Sequence, residues 1–110
     1  MLVSVLGVTD HDFLEELEHA GADVVLRRRK DTDLVFLLAE EPADLEKLSR
    51  LEPTIKRNGA IWVVSPRGRP EIRDVVVIEA AQRAGLVDNK VVRFSDTHTA
   101  LRLVVPLARR

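Results

Sequence analysis

The stretch Gly59-Ala60-Ile61-Trp62-Val63-Val64-Ser65-Pro66-Arg67-Gly68-Arg69 limits the folds open to this chain more than any other. Ala60 to Val64 is an apolar run without alternation, and it holds the single tryptophan. A strand with no polar face has to be covered on both sides, the situation of a parallel sheet flanked by helices. Gly59 precedes the run. Pro66 and Pro70 bracket a loop that can neither continue as sheet nor enter a helix early. The stretch therefore predicts a doubly buried strand over 60–64 that delivers Ser65–Arg69 to one edge of the sheet.

A chain of 110 residues is expected to form one α/β domain over 1–110, large enough to bury about two-thirds of its unfolded surface. The absence of cysteine excludes disulfides, thiolate nucleophiles and cysteine-ligated metals together. Met1-Leu2-Val3-Ser4-Val5 carries no basic n-region and acids follow by Asp10, so no signal peptide is expected. No apolar run approaches the roughly 20 residues that cross a bilayer. A soluble cytoplasmic protein is the expectation.

Charge is unevenly placed. Residues 1–58 hold eight basic and thirteen acidic side chains, a net of −5, and residues 59–110 hold nine and five, a net of +4. That layout argues against broad nucleic-acid binding, which needs a basic surface to displace counterions. It leaves room for a local anion site in the second half.

Leu2 to Val8 reads as a first strand. Thr9 reads as the N-cap of a helix with Asp12 three residues on, and Phe13, Leu14, Leu17 and Ala20 form its apolar stripe up to Gly21. Ala22–Leu26 and Leu34–Leu38 read as the second and third strands, separated by Arg27-Arg28-Arg29-Lys30-Asp31-Thr32-Asp33. Seven residues are short for a crossover between parallel strands, so the second strand either is brief and at an edge or runs antiparallel. Pro42 suits the start of a helix carrying Leu45, Leu48, Leu51 and Ile55 inward, broken at Pro53 and ending in a turn at Asn58-Gly59. After the tryptophan strand, a helix from about Asp74 presents Val77, Ala80, Ala81 and Ala84 and stops at Gly85. Lys90–Ser95 and Ala100–Val105 form an antiparallel hairpin around Asp96-Thr97-His98-Thr99. The expected fold is a three-layer α/β sandwich with a mostly parallel sheet ending in that hairpin.

From Leu34 onward, the succession strand, helix, Asn-Gly, strand, helix, Ala-Gly-Leu, hairpin resembles the C-terminal half of the Rossmann-like class I methyltransferases. Gly59-Ala60-Ile61-Trp62, Ser65-Pro66-Arg67-Gly68-Arg69, Glu79-Ala80-Ala81, Ala84-Gly85-Leu86 and Val104-Val105-Pro106 after Arg102 resemble an uncharacterised bacterial domain-of-unknown-function family. That family is marked by a Gly-apolar-Trp strand and a Pro-basic-Gly loop. The resemblance covers about residues 34–106, while Arg27–Lys30 departs from the more acidic character usual there. It implies a sheet order of 2-1-3-4-6-5 and a ligand crevice at the carboxyl ends of the strands, near loops 7–10, 39–42 and 65–70. The methyltransferase likeness would imply adenosylmethionine. That cofactor needs a glycine-rich first loop and an acid ending the second strand. Here Leu6-Gly7-Val8-Thr9-Asp10 has one glycine and Leu26-Arg27-Arg28 puts arginine where the acid belongs, so no cofactor is expected.

Ser65, Arg67, Gly68 and Arg69 could cradle a phosphate or carboxylate, with guanidinium forks, a close backbone approach at Gly68 and the next helix N-terminus. The competing reading is a solvated polar turn. Arg27–Lys30 could bind nucleic acid or acidic lipid, but four basic residues, neutralised in part by Asp31 and Asp33, read better as a solvated loop. His11, Glu15 and His19 line one helix face, but that face is opposite Phe13, Leu17 and Ala20, so no metal site is expected. His98 has no sequence neighbour that would make it a base, and no catalytic set is expected. A four-residue turn at 96–99 would place Arg93 across from Arg102, an unfavourable pair unless a carboxylate of this domain or a partner lies between them. The functional expectation is a small non-catalytic binding or regulatory domain. One alternative is an enzyme or sensor for a small anionic ligand at Ser65–Arg69. The other is a self-associating module, a homodimer through an edge strand.

Overall fold

In the computed structural model, which describes residues 1–110, six strands form one sheet: β1 (Leu2–Leu6), β2 (Asp23–Val25), β3 (Thr32–Leu38), β4 (Ile55–Pro66), β5 (Val87–Arg93) and β6 (His98–Val104). Their order is β2-β1-β3-β4-β6-β5, as the sequence reading expects. The first four run parallel, and β6 is antiparallel to both β4 and β5. Three helices complete the layers: α1 (His11–His19), the single turn α2 (Leu48–Leu51) and α3 (Asp74–Arg83).

The second strand is brief, at an edge and parallel, which resolves the short connection. Val25 ends level with Ser4, and Thr32 starts β3 only about three residues further back along β1. The return is about 10 Å along the strands and about 10 Å across them, within the reach of six extended residues. No crossover helix is needed, and Arg27–Lys30 lie exposed on the return.

Two apolar layers sandwich the sheet. On one face Val35, Leu37, Ile61, Val63, Leu101 and Leu103 pack against Leu48 and Leu51 of α2 and Val77 and Ala81 of α3. On the other, Val3, Val5, Phe36 and Val64 meet Phe13, Leu14 and Leu17 of α1. That nine-residue helix is the only one on its face, so Trp62 is half-buried rather than fully covered. Its ring stacks on Phe36 at 6.4 Å and 5°, and Phe13 meets Phe36 and Phe94 edge-on at 4.9 and 5.0 Å.

Several local expectations are corrected. Asp10, not Thr9, caps α1: its carboxylate accepts the Phe13 amide at 3.1 Å, and carboxylates compete well with hydroxyls at this position. The segment from Pro42 is a 3-10 turn to Lys47, then α2, then a second 3-10 turn at Glu52–Thr54, because Pro53 denies the helix a backbone donor. Asn58-Gly59 is no turn before a strand. β4 already begins at Ile55, and residues 56–59 bulge between the pairs Thr32–Ile55 and Leu34–Ala60. The hairpin register differs as well. Arg93 lies across from Thr99, and Arg102 across from Lys90 and Trp62, so the two arginines do not face each other. The turn is tighter than expected, with the Phe94 and Ser95 amides both donating to the His98 carbonyl.

Candidate functional site

β4 runs out at Pro66, and the chain must then reach the start of α3. Gly68 takes the left-handed conformation, φ +76°, that the turn requires. A 3-10 turn at Pro70–Ile72 buries Ile72 as an anchor, and Arg73 becomes the N-cap of α3. Between this turn and β6 opens a cleft of about 630 Å³ whose lining includes Ser65, Arg67, Gly68, Arg73, Asp74 and Thr99.

The arrangement collects positive charge. Arg67 holds its place through its backbone, the amide donating to the Thr97 carbonyl at 2.9 Å, and its guanidinium has no carboxylate partner. The Arg73 guanidinium is likewise unpaired. Ser65 is 5% exposed yet reaches the lining. The first amides of α3 have no partner within the helix and add partial positive charge. Asp74 is the one acid on the lining, against two arginines. Guanidinium groups and a hydroxyl are the donor types that recognise phosphate and carboxylate.

Of the expected residues, Ser65, Arg67 and Gly68 come together here. Arg69 does not join them. Its Nε donates to Glu71 Oε1 at 2.7 Å, and it lines an adjoining depression that shares Gly68 and Arg73 with the cleft. The Glu71 carboxyl is held below the usual carboxylate range by its own backbone amide and by Arg69. Arg73 and Thr99 were not singled out from the sequence. Arg73 is findable as the residue before the helix start, and Thr99 only once the hairpin register is known.

The switch point between β1 and β3 holds a smaller crevice, about 270 Å³. His98 has no sequence neighbour expected to make it a base; in the fold its Nδ1 lies 2.8 Å from Thr97 Oγ1 and its Nε2 lies 3.9 Å from Glu40 Oε2. Gly7, at φ +89°, lies against Leu38: a Cβ on it would sit 3.0 Å from Leu38 Cβ. Arg93 pairs with Asp96, and Arg102 lies within the sheet face beside Trp62. His11 and Glu15 form an exposed pair at 3.1 Å, and no three His, Asp or Glu residues are grouped to hold a metal ion. No helix is long and apolar enough to cross a membrane.

The fold has clear structural relatives. CalO1, a methyltransferase in calicheamicin biosynthesis solved with SAH bound, aligns with a TM-score of 0.71 at 17% identity, covering 96% of this chain and 49% of its own. A TehB-like SAM-dependent methyltransferase from Corynebacterium glutamicum gives 0.58 at 11%, covering 96% and 80%. A protein described as a pericyclic reaction enzyme gives 0.63 at 11%, covering 96% and 43%. The chain thus spans about half the length of the first of these, and the likeness establishes a Rossmann-like methyltransferase fold. The sequence matches no curated protein. Residues 2–107 match a family described as "Protein of unknown function (DUF3052)".

Proposed function

The chain belongs to the DUF3052 family, and from that premise we propose that it is a non-catalytic binding or regulatory domain that takes a small anionic ligand in the cleft beside β4. The observation that carries the reading is the pair Arg67 and Arg73: two arginines without carboxylate partners among the residues lining one cleft of about 630 Å³. Arg69, by contrast, is held by Glu71. Phosphate or carboxylate supplies the missing acceptors, and Ser65 and the α3 amides add donors.

The residues at the switch point do not fit adenosylmethionine. β2 ends before Leu26-Arg27-Arg28, all exposed and with no acid to grip a ribose. The first loop has one glycine, held against Leu38, and its Asp10 is already engaged as the α1 cap. The fold is retained while the cofactor chemistry is absent from these loops, which supports a binding role over methyl transfer.

The test is a thermal-shift titration with inorganic phosphate. Phosphate raises the midpoint in proportion to log concentration, and added sodium chloride weakens the effect. Arg67→Ala and Arg73→Ala each weaken binding about tenfold, as expected for one charged hydrogen-bonding group, whereas Arg69→Ala leaves it intact. An unchanged midpoint, or equal binding in the Arg67/Arg73 double variant, refutes the anion cleft. A micromolar adenosylmethionine complex by calorimetry refutes the reading of the switch point.

A further inference from the structure

β5 pairs with β6 on one side and with no strand on the other. The opposite edge of the sheet, β2, is only three residues long, whereas β5 offers seven. Val87 and Val91 on it are 39% and 52% exposed.

The direction of its backbone groups follows from one hydrogen bond. The Phe94 amide donates to the His98 carbonyl at 3.0 Å. By the two-residue period, Val92 and Lys90 also aim their polar groups at β6, while Arg93 and Val91 aim theirs outward. The ladder then skips Asn89, passing from Lys90–Arg102 to Asp88–Leu103, so Asp88 resumes the outward set.

We propose that this edge pairs antiparallel with β5 of a second copy, about a two-fold axis at Val91, joining two sheets into one. With Asn89 skipped, Val91 is the midpoint between Val87 and Phe94. Each Val91 then faces its counterpart, and each Arg93 faces Asp88 of the partner subunit. These outward-aimed residues form the hydrogen-bonded pairs, about six inter-strand bonds in all. Asp88, Val91 and Arg93 share one face, since they lie across from Leu103, Leu101 and Thr99. The opposite charges therefore meet on the same side of the joined sheet, where Asp88 of the partner subunit competes with the exposed Asp96 for the Arg93 guanidinium. On the other face Val87 meets Phe94 of the partner subunit, extending the half-covered aromatic layer, and Lys90 lays its stem along Val92.

Lys90 and the bulge at Asn89 are features that discourage indiscriminate edge pairing. Here they select the register. A slip one way sets Lys90 against its own counterpart, and a slip the other way leaves Asp88 without a cation. The proposal does not depend on the anion cleft, although Arg93 lies across from Thr99 of its lining.

Sedimentation velocity over a concentration series tests it. The wild-type chain is expected to show a reversible monomer–dimer equilibrium. Asp88→Arg and Arg93→Asp each place like charges across the axis and weaken the dimer about tenfold or more, and the double reversal restores it to within about threefold. Circular dichroism checks that each variant is folded. Hydrogen exchange gives a second readout in the wild type: Val91 and Arg93 amides gain protection with concentration, while Phe94 is protected throughout. A wild type that stays monomeric overturns the proposal. So does a dimer indifferent to the single reversals, one that the double reversal fails to restore, or one whose Val91 amide stays exchangeable.

Discussion

Asp33 accepts the Leu2 amide on Oδ2 at 2.8 Å, so one carboxylate ties the first residue of β1 to the start of β3. Its other oxygen lies 3.1 Å from Lys56 Nζ, in the bulge of β4, and three parallel strands meet at this group. The Leu2 amide first, and the Lys56 ammonium with it, hold the Asp33 carboxyl below its usual value. A folded pKa below the unfolded one stabilises fully above the unfolded value, near 3.8, and that stability is lost as pH falls through the folded value. Asp33→Asn is therefore expected to be less stable by about 1–2 kcal/mol at neutral pH, the worth of a charge-assisted bond at a partly exposed group. In urea denaturation, the gap to wild type narrows as the pH drops towards about 2, where the carboxylate is protonated in both states. A gap independent of pH refutes this role for Asp33.

Glu52 is 8% exposed, yet it carries a charge. Arg57 Nη1 lies 2.7 Å from its Oε1, and Arg109 Nη2 lies 3.4 Å from its Oε2. The same Arg57 also donates to the backbone carbonyls of Glu52 and Ile55. Arg109 further reaches the Gly85 carbonyl, which fastens the last turn, Leu107–Arg109, beside the end of α3. The acid is the buried member and the arginines are the half-exposed ones. Removing Arg57 leaves the carboxylate only the longer contact to Arg109, and Arg57→Ala is expected to cost about 1–2 kcal/mol. Removing both partners' interaction at once costs less, because exposed arginine heads return to water. A thermal melt of the Glu52→Gln, Arg57→Ala double variant should sit above that of Arg57→Ala alone.

The strand order was legible because it follows from element type and sequence: apolar runs at Leu34–Leu38 and Ala60–Val64, an alanine face on α3 and a polar turn near Asp96. The parallel direction of β2 was not, because it depends on where β2 stops along β1. The hairpin register was missed by three residues, since the turn closes on His98 rather than spanning 96–99, and with it fell the Arg93–Arg102 pair. At the cleft, Ser65, Arg67 and Gly68 were legible as a proline-bracketed loop. Arg69 is held by Glu71, two residues on, an attraction that no spacing rule for anion loops contains. Arg73 escaped because its contribution comes from the turn that buries Ile72.

Two glycines separate packing from conformation. A Cβ on Gly59 would lie 2.7 Å from the Asp33 carbonyl oxygen and 3.1 Å from that of Lys56, both backbone atoms that cannot move aside. Gly59→Ala is expected to destabilise by about 2–3 kcal/mol, at the upper end for an overpacked site. At Gly68 a Cβ would meet nothing within 4 Å, and only the positive φ opposes it. Gly68→Ala is expected to cost about 1 kcal/mol, the penalty of a left-handed non-glycine residue. Urea midpoints in the reverse order would mean that the bulge at 56–59 is not packed as described.

Ser4 presents the opposite case, a polar group whose removal should help. It lies in β1 at 0% exposure, paired with Val25 and Val35, and its Oγ is the one buried side-chain polar atom without a hydrogen-bond partner. Folding strips water from this hydroxyl and returns nothing, a desolvation penalty of about 1–3 kcal/mol. Alanine fits the same space within a hydroxyl's volume, so the lost packing is small and the penalty is relieved. Ser4→Ala is expected to raise stability by about 1 kcal/mol in urea denaturation, and Ser4→Val to lower it if the layer beneath α2 is as tightly filled as the neighbouring Val35 and Leu37, each 1% exposed, indicate. A Ser4→Ala variant less stable than wild type would mean that the hydroxyl is satisfied in solution, by bound water or by a rotation towards a strand carbonyl.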